Sequence, residues 1–214
     1  MIRAIALDIG ETLTHDTRYW ASWADWLGID RHTLSALVGA VVAQGRDNAE
    51  AVRLLKPGVD LEAEYAAREA AGLGERLEES DLYDDVRPAL TALREAGVRV
   101  VAAGNQTRVA GRELRGLKLP VDAVATSGEW GVAKPSAEFF LRVVDLADVS
   151  DPGQVLYVGD HPPRDVFPAR EAGLMTAHLR RGPYGHLWAD DPRVREASDY
   201  RIDSLHDLAA IVRG

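Results

Sequence analysis

Four short polar clusters carry the residue types for chemistry: Asp8-Ile9-Gly10-Glu11-Thr12, Gly104-Asn105, Lys134-Pro135, and Gly159-Asp160 with Asp165 five residues on. Carboxylates that converge can hold a hard divalent cation through their oxygens. A lysine among them adds a second positive charge. Acids are plentiful: 34 Asp+Glu against 25 Lys+Arg leave a formal net charge of −9 at pH 7. Either that excess is a solvated surface, or part of it gathers on a cation.

The same arithmetic excludes other chemistries. A surface of that sign repels nucleic acid and anionic lipid, so no nucleic acid and no membrane is expected as a partner. There is no cysteine, which removes disulfides, thiolate metal sites and a thiol nucleophile. The six histidines are scattered and match no zinc motif. Gly72-Leu73-Gly74 follows no strand, and Leu77 stands where a dinucleotide loop needs its third glycine. A composition of 46% hydrophobic and 28% charged residues suits a soluble globular protein. At roughly 150 residues per domain, 214 residues suit one large domain or one with an insertion. No apolar stretch approaches the roughly 20 residues of a membrane span. The run before Asp8 is too short for a secretory segment with its cleavage site. A cytoplasmic location is expected, as a monomer or a homodimer.

The elements that must position the clusters are legible as apolar runs. Residues 2–7, 98–103, 121–125, 154–158 and 174–179 read as buried parallel strands. The polar clusters follow the first, second and fourth of them. Helical patterns fall between, at about 86–96, 107–116, 136–147 and 163–172. Asp84 or Asp85 reads as an N-cap before Arg87-Pro88. This alternation predicts an α/β fold with a doubly wound parallel sheet. Ligands of such sheets bind outside the carboxyl ends of the strands, where the polar clusters stand. Residues 14–83 break the pattern. They read as helices at about 17–27, 31–44, 48–55 and 60–71, punctuated by Gly28, Gly45 and Pro57-Gly58. The expected division is a core of 1–13 and 84–214 with a helical module of 14–83 inserted.

In order and context the four clusters resemble the haloacid dehalogenase superfamily of hydrolases, mostly phosphatases. The resemblance covers nearly the whole chain. It implies a strand order of 3-2-1-4-5 and makes the inserted helices that family's first type of cap. It implies Mg²⁺ as cofactor and a small phosphorylated molecule as substrate. Asp8 would be the nucleophile that forms an aspartyl-phosphate. Asp8, Asp160 and the backbone carbonyl of Gly10 would hold the metal. Asp165 would join through water or orient Lys134. Lys134 would steady the nucleophile and the phosphoryl oxygens, Gly104 and Asn105 would offer amide donors to the phosphate, and Thr12 would brace the loop. The charges then balance: three carboxylates bring −3, and one Mg²⁺ with Lys134 brings +3. An anionic phosphate can approach only such a neutralised site.

Two positions depart from the family pattern. Phosphatases of this family carry a second Asp two residues after the first, which protonates the leaving oxygen; here it is Gly10. A lost general acid typically costs about 10²–10⁴-fold in rate. The Ser or Thr at the end of the second strand is Gly104. Glu11, His161 and His15 are the conceivable replacements for the acid, although strand alternation points Glu11 away. The departures leave open a degenerate protein that binds metal and ligand without efficient turnover, and a 2-haloacid dehalogenase, whose halide needs no proton. Trp20, Trp23 and Trp26 lie three apart on the first inserted helix. They form either a substrate wall or the inserted module's own core. Trp130 and Arg180-Arg181 are further candidates for the cleft.

Overall fold

The computed structural model describes residues 1–213. The chain divides into two compact units, one of Met1–His15 with the residues from Leu77 onward, the other of Asp16–Arg76.

The first unit is built on strands β1 (Ala4–Leu7), β2 (Arg99–Gly104), β3 (Ala123–Thr126), β4 (Val155–Gly159), β5 (Met175–Leu179) and β6 (Tyr200–Ile202). All neighbours pair in parallel, in the order β3-β2-β1-β4-β5-β6. The first five follow the expected order, and the sixth is an addition. β6 has only three residues with Arg201 at its centre, so it presents no apolar run to read.

β1 is wholly buried because successive side chains serve opposite layers. Ile5 and Leu7 pack in one core with Leu90 and Leu93. Ala4 and Ala6 pack in the other with Phe139, Phe140 and Val143. Here α5 (Val86–Glu95) covers the first face and α8 (Ala137–Leu146) the second. The unit's other helices are α6 (Arg108–Gly116), α7 (Ser127–Trp130), α9 (Val166–Glu171), α10 (Gly182–Leu187), α11 (Pro192–Ala197) and α12 (Leu208–Ile211). The ninth helix starts later than residue 163, because the amides of Arg164 and Asp165 both turn back to the His161 carbonyl.

The second unit holds α1 (Thr17–Leu27), α2 (Arg31–Ala43), α3 (Ala49–Leu55) and α4 (Leu61–Ala70). Asp30 caps α2 through Thr33 N, and Asp60 caps α4 through Glu62 N and Ala63 N. The tryptophan stripe belongs in part to this unit's own packing. Trp23 is 2% exposed, meets Tyr65 edge-on and lies under the Arg68 guanidinium at 4.1 Å. Trp26 donates to Glu64.

The helical unit is narrower than 14–83 for a local reason. The departing and returning chain segments pair beside the sheet, with Thr14 bridged to Leu82. His15 N donates to Asp81 O at 2.9 Å and Tyr83 N to Leu13 O at 3.1 Å. Leu77 packs on the sheet core. Asp85 precedes α5 but does not cap it. Its carboxylate instead takes Arg181, Ser204 Oγ and Leu205 N.

Candidate active site

The carboxyl ends of β1, β2 and β4 converge on Asp8, Lys134, Asp160 and Asp165, all buried. Lys134 Nζ donates to Asp8 Oδ1 at 2.6 Å and to Asp165 Oδ1 at 2.5 Å. Tyr157 and Phe139 lie beneath the ammonium, 5.6 and 6.0 Å from it. Asp165 is held through its other oxygen too, since Oδ2 accepts from His161 N at 2.9 Å. It stands before α9 without capping it, so its carboxylate serves to orient Lys134. The backbone of Lys134 is fixed as well. Asn105 Nδ2 donates to Lys134 O at 3.0 Å, and Lys134 N donates to Asn105 Oδ1 at 2.8 Å. The Asn105 side chain, expected only as a neighbour of the phosphate, is thus a two-point clamp on the lysine.

Two glycines are dictated by this crowding. A Cβ on Gly159 would fall 2.3 Å from Asp165 Oδ2, and one on Gly104 would fall 2.5 Å from Asp8 Oδ1. At 104 the Cβ of the family's Ser or Thr would meet Asp8 as it is turned here, onto Lys134. Gly104→Ala is therefore expected to push the Asp8 carboxyl off Lys134. Misplacement of about 1 Å costs on the order of 10²-fold, so kcat/KM should fall by about that factor with the circular dichroism spectrum unchanged. An unchanged kcat/KM would show that Asp8 works equally well when turned away.

Electrostatics point to a missing positive charge. Burial, reinforced by Asp165 against the pull of Lys134, raises the Asp8 carboxyl to about 6. Burial, then Asp165 and Asp8, push Asp160 well above the ordinary carboxylate range. Burial also works against the Lys134 charge, but Asp165 and Asp8 outweigh it and hold the ammonium well above the usual lysine range. One cation faces three buried acids. Ligand oxygens of Asp8, Asp160 and Asp165 lie within 4.8 Å of one another. Asp160 Oδ2 is buried with no hydrogen-bond partner among the described residues. An all-oxygen donor set with an orphaned carboxylate oxygen fits a hard divalent cation.

The accessory candidates divide. Glu11 does not follow strand alternation: β1 ends at Leu7, and Glu11 has φ +54°. Its Oε2 accepts from Tyr83 Oη at 2.5 Å. Thr12 is buried, but its Oγ1 has no partner among the described residues. Its carbonyl makes the tie instead, accepting from Arg181 Nη1 at 2.8 Å. The Arg181 guanidinium stacks 4.3 Å over Tyr83 and pairs with Asp85. Sequence reasoning left Arg181 as a candidate for substrate attraction; it is a brace for the loop after β1. Arg180 is paired with Asp203 at 2.7 Å. His15 Nε2 is engaged with Ser80 O at 3.0 Å. Trp130 packs edge-on to Phe139 against the second core. His161 is buried against Tyr184 and Trp188. Burial, with Arg164 and Lys134, pushes its imidazole down to about 3.

Comparison with known proteins agrees with this geometry. The pattern of the haloacid dehalogenase-like hydrolases matches residues 2–173. The chain belongs to that family. It is 33% identical over 135 residues to a glyceraldehyde 3-phosphate phosphatase of Methanopyrus kandleri, covering 61% of this chain and 56% of that protein. It is 31% identical over 131 residues to a phosphoserine phosphatase of Thermus thermophilus, covering 59% and 49%. The chain thus spans about half the length of the curated relatives it matches. Among solved structures, a HAD phosphatase from Thermococcus onnurineus aligns with a TM-score of 0.64 at 19% identity, over 100% of this chain and 99% of that one. A 2-haloacid dehalogenase from Pseudomonas syringae aligns at 0.61 and 23% identity, over 100% and 99%. At those identities the likeness speaks for the fold. No helix among the described residues is long and apolar enough to cross a membrane.

Proposed function

We propose that this protein is a Mg²⁺-dependent phosphatase that hydrolyses a small phosphomonoester through an aspartyl-phosphate on Asp8. The observation that carries the reading is Lys134 Nζ held between Asp8 and Asp165 beside the unpartnered oxygen of Asp160. Asp8, Asp160 and the Gly10 carbonyl would hold the metal. Asp165 would join it through water or keep Lys134 in place. Bound there, Mg²⁺ supplies positive charge to the phosphoryl oxygens.

The chain's own residues supply the rest. The Asp8 carboxylate attacks phosphorus, and Lys134 offsets its charge and that of the transferring group. Asp165 and Asn105 keep Lys134 in place from its side chain and its backbone. The backbone amides of Gly104 and Asn105 would face the phosphate. The relatives named above act on small phosphorylated molecules, and the same class is proposed here.

The absent side chain at Gly10 favours a second reading, a protein that binds metal and a phosphorylated ligand without efficient turnover. Phosphate release from a panel of phosphomonoesters, measured with Mg²⁺ and with EDTA, separates the two. Release that requires Mg²⁺ is the expected result. No release from the wild type, with activity appearing in Gly10→Asp, would establish the binding reading instead. Halide release from 2-haloacids without metal would overturn both.

A further inference from the structure

A phosphoester that reacts at Asp8 leaves an oxygen that Gly10 cannot serve. The neighbouring candidates are partly engaged: Glu11 Oε2 accepts from Tyr83 Oη, and His15 Nε2 meets Ser80 O while its Nδ1 has no partner among the described residues. His161 is not. Its ring is 8% exposed, yet neither Nδ1 nor Nε2 has a hydrogen-bond partner among the described residues. Buried polar groups are ordinarily paired, and an unpaired one in a folded core calls for a reason.

The position of this ring supplies one. Its backbone follows Asp160 directly, and its N–H is tied to Asp165 Oδ2, so the Cα is anchored to the reaction centre. Lys134 and Asp8 are among the charges that act on the imidazole. From the other side the ring is held by Tyr184 and Trp188, with centroids 5.1 and 5.0 Å away. Those two residues lie one helical turn apart on α10 and flanking it. These aromatic neighbours offer no hydrogen bond to either ring nitrogen.

We propose that His161 donates a hydrogen bond from its ring N–H to the leaving-group oxygen of the substrate ester, partly replacing the donor that Gly10 lacks. This inference rests on the phosphatase reading. As the Asp8 oxygen bonds to phosphorus, the bond from phosphorus to the leaving oxygen breaks and that oxygen takes the electron pair. His161 stabilises the charge developing there and keeps its own proton; the leaving oxygen is protonated by water. Such a donor matters most for esters of basic alcohols, because their leaving oxygen carries the most charge in the transition state.

Phenyl phosphate and p-nitrophenyl phosphate test this, since they share a shape and differ in the basicity of the leaving oxygen. His161→Phe keeps the contacts to Tyr184 and Trp188 and removes both unpaired nitrogens, so its thermal midpoint should match or exceed the wild type's. Its kcat/KM for phenyl phosphate should fall by about 10²-fold, with a much smaller loss for p-nitrophenyl phosphate. His161→Asn, which retains an N–H donor, should recover part of the selectivity. Equal losses on both esters in a folded His161→Phe, or in His161→Leu should the first fail to fold, would overturn the assignment. A wild type that hydrolyses neither ester would instead overturn the phosphatase reading, and this inference with it.

Discussion

Asp8→Asn is expected to abolish hydrolysis and, at neutral pH without metal, to raise the melting temperature. The loss follows from removing the nucleophile; at least about 10⁴-fold in kcat is the scale for such a group. The gain follows from the crowding of buried acids. The Asp8 carboxyl is raised from 3.8 to about 6, so between those values the folded protein binds more protons than the unfolded chain. Its contribution to stability therefore falls as pH rises through that window, and the full penalty stands above about pH 6. A shift of this size corresponds to on the order of 3 kcal/mol, or several degrees in a chain of this length. The variant's advantage should be near zero at pH 4 and complete at pH 7.5. Thermal melts at the two pH values check this. A variant less stable than the wild type at pH 7.5 would mean that the contact with Lys134 outweighs the burial of the acid.

Lys134→Met should do the opposite to stability while also removing activity. The ammonium is the partner of two buried carboxylates, and deleting one member of a buried pair costs about 3–5 kcal/mol. Met fills similar volume above Tyr157 and Phe139, so the loss reports on charge. Without the lysine, Asp8 is relieved by taking up a proton, and the deficit should shrink as the pH is lowered toward 5. Activity should fall by about 10³-fold or more, because Lys134 is the cation paired with the proposed nucleophile, Asp8. A deficit that does not change with pH would show that Lys134 acts through packing. Adding Asp8→Asn to Lys134→Met should restore part of the stability, since the pair is then removed together.

The residues at strand ends were the most legible part of this protein. Asp8 and Asp160 follow apolar runs, and local pattern brings them to the carboxyl ends of their strands; Lys134 joined them only through the resemblance to the family. What was not legible depends on partners far along the chain. The Arg181 guanidinium meets Thr12 and Asp85, and nothing near residue 181 announces either. Asn105 reads as a phosphate neighbour until Lys134 arrives to take its side chain. Glu11 defeated alternation because the strand ends at Leu7 and the backbone then turns left-handed. Asp85 has the residue type and place of a helix cap, but Arg181, Ser204 and Leu205 all bond its Oδ2, and its Oδ1 has no partner among the described residues. The departure at Gly104 became intelligible only once Asp8 Oδ1 was seen to fill the space of a Cβ.

The placement of β1 also sets an order of events at the ribosome. This strand ends at Leu7 and lies between β2 and β4, yet the first residue able to pair with it, Arg99, is 92 positions later. At about 5–20 residues per second, the strand that leads into Asp8 is without a partner for roughly 5–20 s of synthesis. The whole helical unit, Asp16–Arg76, emerges in that interval. β1 is short and consists of Ala4-Ile5-Ala6-Leu7, half of it alanine, which limits the apolar surface it exposes while it waits.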